Sequence, residues 1–367
     1  MSRPWTEDAR ILQLATLPAP ALIQLLAGLL LLLLGAELSV RAAVHLAAML
    51  KIRPLIIGLT VVALGSSAPQ MAVGLQAAFS ANTDIAVGSV IGGGLFSVLV
   101  TLGLCALIVP LRVARQVLHI DIPLMIGACL LVTALAWNGR LGKFDGVLLL
   151  AGLAGCLCMV LRQGGHTARH GHTASAATPR TPSRLAMLFS GLLMLAFGGH
   201  LLVDASVVIA LNLGLSERII GLTVIAVATS LPGLITSVIA AFRGERDIAV
   251  GNVIGSNLFN LLGVLGLTAL VAPVSLSVSP NALAFDLPLL LGMAVLCVPV
   301  FYSGYRIDRI EGLLLLSLYL TYGLHIVSIS TGMQLADRLE GIMLGFVLPI
   351  LGAAVVYGMV RAWQRQH

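Results

Sequence analysis

Two short polar runs stand inside segments that are otherwise hydrocarbon: Gly65-Ser66-Ser67-Ala68-Pro69-Gln70 and Ala228-Thr229-Ser230-Leu231-Pro232-Gly233. Proline has no amide hydrogen and its ring collides with the preceding turn, so Pro69 and Pro232 are expected to break helices at matched places. Carbonyls released into hydrocarbon cost several kcal/mol each unless something meets them, and Ser66, Ser67, Thr229 and Ser230 stand beside the breaks with hydroxyls to offer. A proline kink patched by hydroxyls is the plain account. Two interrupted segments at corresponding positions are better explained as halves of one binding site near a bilayer midplane. A second polar pair follows, Gly88-Ser-Val-Ile-Gly-Gly-Gly-Leu-Phe-Ser97 and Gly251-Asn-Val-Ile-Gly-Ser-Asn-Leu-Phe-Asn260. Ser256, Asn257 and Asn260 bring hydroxyl and carbonyl oxygens where the first run has Gly93, Gly94 and Ser97, so the halves are unequal donors. Gly88, Gly92, Gly251 and Gly255, spaced by four, would let their helices approach neighbours closely.

The elements that must carry these residues are membrane spans. The chain of 367 residues is 59% hydrophobic and only 10% charged, with a mean hydropathy of +1.05. An ordinary globule is nearer half apolar and a quarter charged. Apolar stretches fall near 21–40, 54–79, 85–110, 118–137, 144–162, 185–211, 217–242, 248–273, 283–302, 310–330 and 340–360, eleven in all. The first exceeds 20 residues without a small-residue cleavage site, and is expected to be a retained helix. With the N-terminus outside, fifteen Lys and Arg fall on the inner side and six on the outer, which predicts an outer N-terminus and a cytoplasmic C-terminus. The net charge of +6 is thereby topology and needs no nucleic acid. Cys105, Cys129, Cys156, Cys158 and Cys297 all lie in apolar stretches without CxxC spacing, and read as small hydrophobes rather than disulfide or metal ligands.

Residues 58–103 align without a gap on 221–266, with 23 identities in 46 positions. Shared composition could match apolar residues but not the order of Gly, Pro and Asp, so the chain contains an internal duplication. Ile120-Asp121-Ile122-Pro123 echoes Phe285-Asp286-Leu287-Pro288, and Asp145-Gly146 echoes Glu311-Gly312. Each unit has five spans, an odd number, so the second enters the membrane inverted. The expected architecture is an all-α polytopic protein: an N-terminal tail over 1–20, a first repeat over 21–162, a cytoplasmic linker over 163–184, a second repeat over 185–330, and an extra helix and tail over 331–367. The linker carries His166, His170 and His172, which a solvated loop explains better than a metal site.

The two motifs, in inverted halves, resemble the alpha-repeats of the cation/calcium antiporter superfamily, which includes sodium/calcium exchangers. The resemblance spans residues 21–330 and implies ten core helices around a central cation site, with the first and sixth sliding to alternate access. The family's Gly-Thr-Ser-x-Pro-Glu motif falls on the runs around Pro69 and Pro232. Its hydroxyls and prolines match, but its two calcium-binding glutamates are replaced by Gln70 and Gly233. The acid sometimes found in the later motif is Asn260, with Ser97 as its mate. The resemblance therefore implies a cation site made from Ser66, Ser67, Gln70, Ser97, Thr229, Ser230, Ser256, Asn257 and Asn260. To these it adds carbonyls freed at Ala63 and Ala226, and weak backbone ligation at Ser66 and Thr229. Calcium takes six to eight oxygens, several of them carboxylate; this set has none, and suits sodium better.

Glu37 and Asp204, within or near the first and sixth spans, are candidates for a proton or cation relay, although a snorkelling charge explains them as well. His200 aligns with Glu37. Asp84 and Asp247 read as caps of the third and eighth helices. The expected function is secondary active cation antiport by alternating access in a bacterial inner membrane. A monovalent or small neutral or zwitterionic cargo, and a transport-inactive scaffold, are the alternatives. No GxxxxGK[ST] loop or hydrolytic constellation is present, so neither an enzyme nor ATP-driven pumping is expected. No cofactor is expected beyond the transported Na+ or Ca2+, and no partner beyond the lipid bilayer and that small ion. The oligomeric state is left open.

Overall fold

The computed structural model describes residues 19–50, 53–79, 83–164, 181–212, 224–302 and 305–331, with scattered positions beyond. Most of the N-terminal tail, most of the His-containing linker and most of the expected eleventh helix lie outside the described residues.

Among the described residues, ten helical spans follow one another. Span 1 is Ala19–Leu50, and span 2 is a pair, Pro54–Ser66 and Ala68–Phe79, bent by 45°. Spans 3, 4 and 5 are Ala86–Ile108, Val117–Asn138 and Lys143–Gly164. Span 6 is Thr181–Asn212, span 7 Ala226–Phe242 and span 8 Arg246–Val271. Ala282–Tyr302 and Arg309–Thr331 are spans 9 and 10. Seven of the described helices are long and apolar enough to cross a bilayer, or eight with the bent pair.

The inversion is legible in how the halves touch. Strands β1 (Leu111–Arg112) and β2 (Arg140–Leu141) flank span 4, while β3 (Leu276–Ser277) and β4 (Arg306–Ile307) flank span 9. β1 pairs antiparallel with β4, and β2 with β3, so each repeat's first ribbon strand meets the other's second, at opposite ends of span 4. Glycines repeat the pattern. A Cβ on Gly28 would stand 2.8 Å from the Gly198 carbonyl oxygen, and one on Gly35 would stand 2.8 Å from that of Gly191. Gly28 and Gly191 are equivalent positions, as are Gly35 and Gly198, so spans 1 and 6 cross as each other's mirror in sequence order. Helix starts match as well: Asp145 accepts the Gly142 amide at 2.8 Å, and Glu311 the Asp308 amide at 2.8 Å.

Spans 3 and 8 form the centre and are buried along most of their length, whereas spans 1 and 6 turn Leu26, Leu30, Phe189 and Phe197 outward to lipid. Spans 1 and 6 meet span 7 through a small apolar cluster of their own: Leu32, Ala36, Leu195, Leu202, Val203 and Ala228. Gly251 and Gly255 bring span 8 against span 2, where a Cβ on Gly251 would lie 2.7 Å from the Leu55 carbonyl oxygen. All five cysteines are free, and Cys158 is exposed on the lipid side rather than buried.

The two proline breaks are not alike. Span 2 turns at Ser67, two residues before Pro69, but span 7 runs through Pro232 as one helix, Ala226–Phe242. The expected break at Pro232 is absent. Thr229 and Ser230 bond back to the carbonyls of Ile225 and Ala226 at 2.8 Å each, and Thr236 caps the Pro232 carbonyl at 2.7 Å. These hydroxyls add second bonds to carbonyls on either side of that of Ala228, the one Pro232 leaves without its amide, and the helix continues through the proline. Where span 2 bends, Gly65 precedes the turn and Ser66 Oγ bonds back to the Ala63 carbonyl at 3.1 Å.

Candidate functional site

Ser97 is the middle residue of Ala86–Ile108, and Asn257 and Asn260 lie near the middle of Arg246–Val271. Ser97 and Asn260 sit in π-helical turns, Phe96–Leu102 in span 3 and Phe259–Val264 in span 8, at equivalent places in the repeats, and Asn257 stands two residues before the second. Such turns insert a residue into the helix and re-aim side chains, and they concentrate at functional sites. Ser97 Oγ thereby comes within 3.3 Å of Ser256 Oγ, joining spans 3 and 8 across the two repeats.

Two amide side chains organise what surrounds this contact. Gln70 of span 2 donates through Nε2 to Ser89 of span 3 at 3.0 Å, and its Oε1 accepts the Thr229 hydroxyl of span 7. In the other half Asn252 of span 8 accepts the Ser66 hydroxyl of span 2 at 3.0 Å. Its Nδ2 donates to the Gly233 carbonyl at 3.1 Å and to Ser237 Oγ at 2.9 Å. By the repeat alignment Gln70 corresponds to Gly233, Ser89 to Asn252, and Ser66 to Thr229. The same three positions are tied together in both halves, with the amide and the small residue exchanged. Gln70 with Ser89 and Gly233 with Asn252 are two ways of filling one space.

Ser89, Asn252 and Ser237 join the hydrogen bonds around the candidate site, although the sequence motifs do not single them out. The signal lies in two alignment columns, 70/233 and 89/252, where the amide changes sides.

Three polar atoms expected to bind an ion are left without a hydrogen-bond partner: Asn257 Oδ1, Asn260 Oδ1 and Ser67 Oγ, all on buried residues. Asn257 donates its Nδ2 to the Val253 carbonyl at 3.0 Å, which points Oδ1 at Gly94, where an added Cβ would stand 2.8 Å away. Ser67 borders a largely apolar cavity of about 320 Å³ between spans 2, 6 and 8, with Gly65, Met71, Leu192, Ala196 and Phe259. Ser230 Oγ approaches the Gly93 carbonyl at 3.5 Å.

The carbonyls are less available than expected. Ala63 oxygen accepts the Ser67 amide at 3.0 Å and Ser66 Oγ at 3.1 Å; Ala226 oxygen accepts Ser230 Oγ at 2.8 Å. Neither is freed, because a proline releases the carbonyl four residues before it, which is Gly65 or Ala228 here. Ser66 closes the segment Ala63–Ser66, and Thr229 lies inside a continuous helix.

The two coupling candidates stand apart from this centre. Glu37 of span 1 pairs with Arg41 and with Arg243 at the end of span 7, the latter through both carboxylate oxygens. Asp204 pairs with His200 at 3.4 Å, one turn away on span 6, with both side chains about half exposed. The buried carboxylates among the described residues are Asp121, Asp286 and Glu311, at the starts of spans 4, 9 and 10. No described group of three or more His, Cys, Asp or Glu side chains could hold a metal ion. The centre offers neutral oxygens: two amide carbonyls and several hydroxyls.

Comparison with known proteins matches residues 20–162 and 183–327 to the family described as sodium/calcium exchanger protein. CaxA of Alkalimonas amylolytica, provisionally named an antiporter, is 36% identical over 309 residues, covering 82% of this chain and 97% of that one. The inner membrane protein YrbG of Escherichia coli is 35% identical over 280 residues, covering 74% and 86%. Solved structures of the sodium-calcium exchanger NCX_Mj superpose with a TM-score of 0.71 at 28% identity, covering 85% of this chain and 98% of that one.

Proposed function

Since the chain belongs to the sodium/calcium exchanger protein family, whose members are cation antiporters rather than enzymes, we propose that it moves a monovalent cation of the sodium class by alternating access. The observation that carries this reading is the pair of orphaned amide oxygens, Asn257 Oδ1 and Asn260 Oδ1, buried at mid-span beside Ser97 and Ser256 with no carboxylate among them. Buried acceptors without donors are rare in folded proteins and call for a ligand. A cation supplies the missing positive charge, and neutral oxygens suffice for a singly charged one. A divalent ion is held more strongly by water, and sites that bind it draw on several carboxylates. Ligand charge and site rigidity together move calcium affinity over about six decades, roughly 8 kcal/mol.

The site lies between the repeats, so access alternates if spans 1 and 6 shift against the rest. Their close glycine crossing supports their moving as a pair. The inner membrane, with the N-terminus outside and the C-terminus in the cytoplasm, fits the distribution of Lys and Arg and the bacterial relative's name. No cofactor is required, and the bilayer and the carried ion are the partners the reading needs.

The test is isotope flux with purified protein in proteoliposomes. Sodium uptake that is saturable and weakened by Asn257→Leu or Asn260→Leu supports the reading. Robust sodium-driven calcium uptake, unaffected by changes at Ser256, Asn257 and Asn260, would overturn it.

A further inference from the structure

We infer that this carrier also returns across the membrane unloaded, so that it catalyses net cation flux down a gradient without a counter-cation. The inference rests on the transport reading above and extends it to coupling.

An exchanger is held to obligatory exchange when its unloaded form cannot change sides. Fixed negative charge in the site is a direct cause, because bare carboxylates moved past an apolar seal lose water and gain no counter-charge. The described residues supply no such charge here. The buried acids Asp121, Asp286 and Glu311 sit at the starts of spans 4, 9 and 10: Asp286 takes the Tyr322 hydroxyl at 3.3 Å, Glu311 caps the Asp308 amide, and Asp121 is buried with both carboxylate oxygens lacking a hydrogen-bond partner. Glu37 is spent on Arg41 and Arg243, and Asp204 faces His200. The two positions where the resemblance implies glutamates hold the uncharged Gln70 and Gly233.

Neutrality alone would leave polar groups to desolvate, and the amide braces deal with most of these. Gln70 joins spans 2, 3 and 7, and Asn252 joins spans 8, 2 and 7, each using donor and acceptor on protein partners. The site therefore satisfies much of its hydrogen bonding and all of its charge without an ion. Loading adds a positive charge rather than cancelling a negative one. The unloaded form is then the neutral one, and its return is not the forbidden step.

The experiment loads proteoliposomes of the full chain with 22Na+ and dilutes them into medium holding either sodium or only N-methylglucamine. A permeant anion such as thiocyanate on both sides dissipates the membrane potential. Efflux into the sodium-free medium is expected within about tenfold of the exchange rate, tenfold being about 1.4 kcal/mol of barrier. It is also expected to stay unchanged between external pH 7 and 8.5, which removes the proton as hidden counter-ion. Gln70→Glu is expected to suppress sodium-free efflux more than exchange. If that variant fails to fold, Gly233→Glu makes the same test, since an added Cβ there meets nothing closer than 3.9 Å. Brisk exchange with sodium-free efflux more than tenfold slower overturns the inference and leaves the transport reading standing. So does an efflux that follows external proton concentration. Absence of both fluxes overturns the transport reading and this inference with it.

Discussion

Asn252 accepts the Ser66 hydroxyl at 3.0 Å, across 186 residues of chain and from the opposite repeat. Together with the Gln70 contact to Thr229 this makes a reciprocal brace, in which each half supplies one amide and one hydroxyl to the other.

Exchanging the brace's parts within the second repeat should be tolerated. Asn252→Ser alone leaves Ser66 and the Gly233 carbonyl without their partner, and each buried polar group left unmet costs about 1–3 kcal/mol. Thermal unfolding of the detergent-solubilised protein should register the loss. Adding Gly233→Gln copies the Gln70 and Ser89 arrangement of the first repeat and should recover most of it. A double variant no more stable than Asn252→Ser would sink the compensation idea.

Restoring charge should restore calcium. Gln70→Glu with Gly233→Glu places carboxylates at the two positions where the resemblance implies them, and the calcium-to-sodium uptake ratio is expected to rise about 100-fold or more, within the six decades over which ligand charge and site rigidity tune calcium sites. Competition of 45Ca2+ against 22Na+ uptake measures the ratio, and an unchanged ratio would show that calcium selectivity is set elsewhere.

The ion pair between Glu37 and Arg243 ties span 1 to the end of span 7, but both side chains are partly exposed, at 30% and 37%. Its coupling energy should therefore be modest, about 0.2–1 kcal/mol in a double-mutant cycle with Glu37→Gln and Arg243→Gln. Transport should persist in both single variants, with changed rate. Complete loss of flux in Glu37→Gln, with normal folding, would instead make Glu37 a coupling residue.

Gly199 of span 6 rests against the rings of Pro69 and Pro232, and a Cβ there would stand 3.1 Å from Pro232 Cγ while overlapping that of Pro69. Gly199→Ala should destabilise by about 1–3 kcal/mol, the usual cost of overpacking. Gly199→Leu should stop transport, because it wedges span 6 off both prolines. Wild-type stability and flux in Gly199→Leu would mean that span 6 does not bear on them.

Much of the fold was legible in the chain. Hydropathy placed the spans, and the gapless match of 58–103 on 221–266 with five spans per unit dictated inversion, later visible in β1 pairing with β4 and β2 with β3. The polar residues of the centre were also legible as a set, since hydroxyls and amides in hydrocarbon have few other uses.

The division of labour within that set was not. Which amides are spent on bracing, Gln70 and Asn252, and which keep a free oxygen, Asn257 and Asn260, depends on partners more than a hundred residues away in two of the pairings. Pro232 likewise matches Pro69 in sequence, yet span 7 runs through it as one helix while span 2 bends by 45°. Periodicity and composition report what a residue's own segment must do in water or lipid, and so the chain alone determined the membrane, the duplication and the neutral chemistry of the centre. A hydrogen bond is satisfied by whatever atom lies within about 3 Å, and only the packing of the two inverted repeats decided which atoms those are.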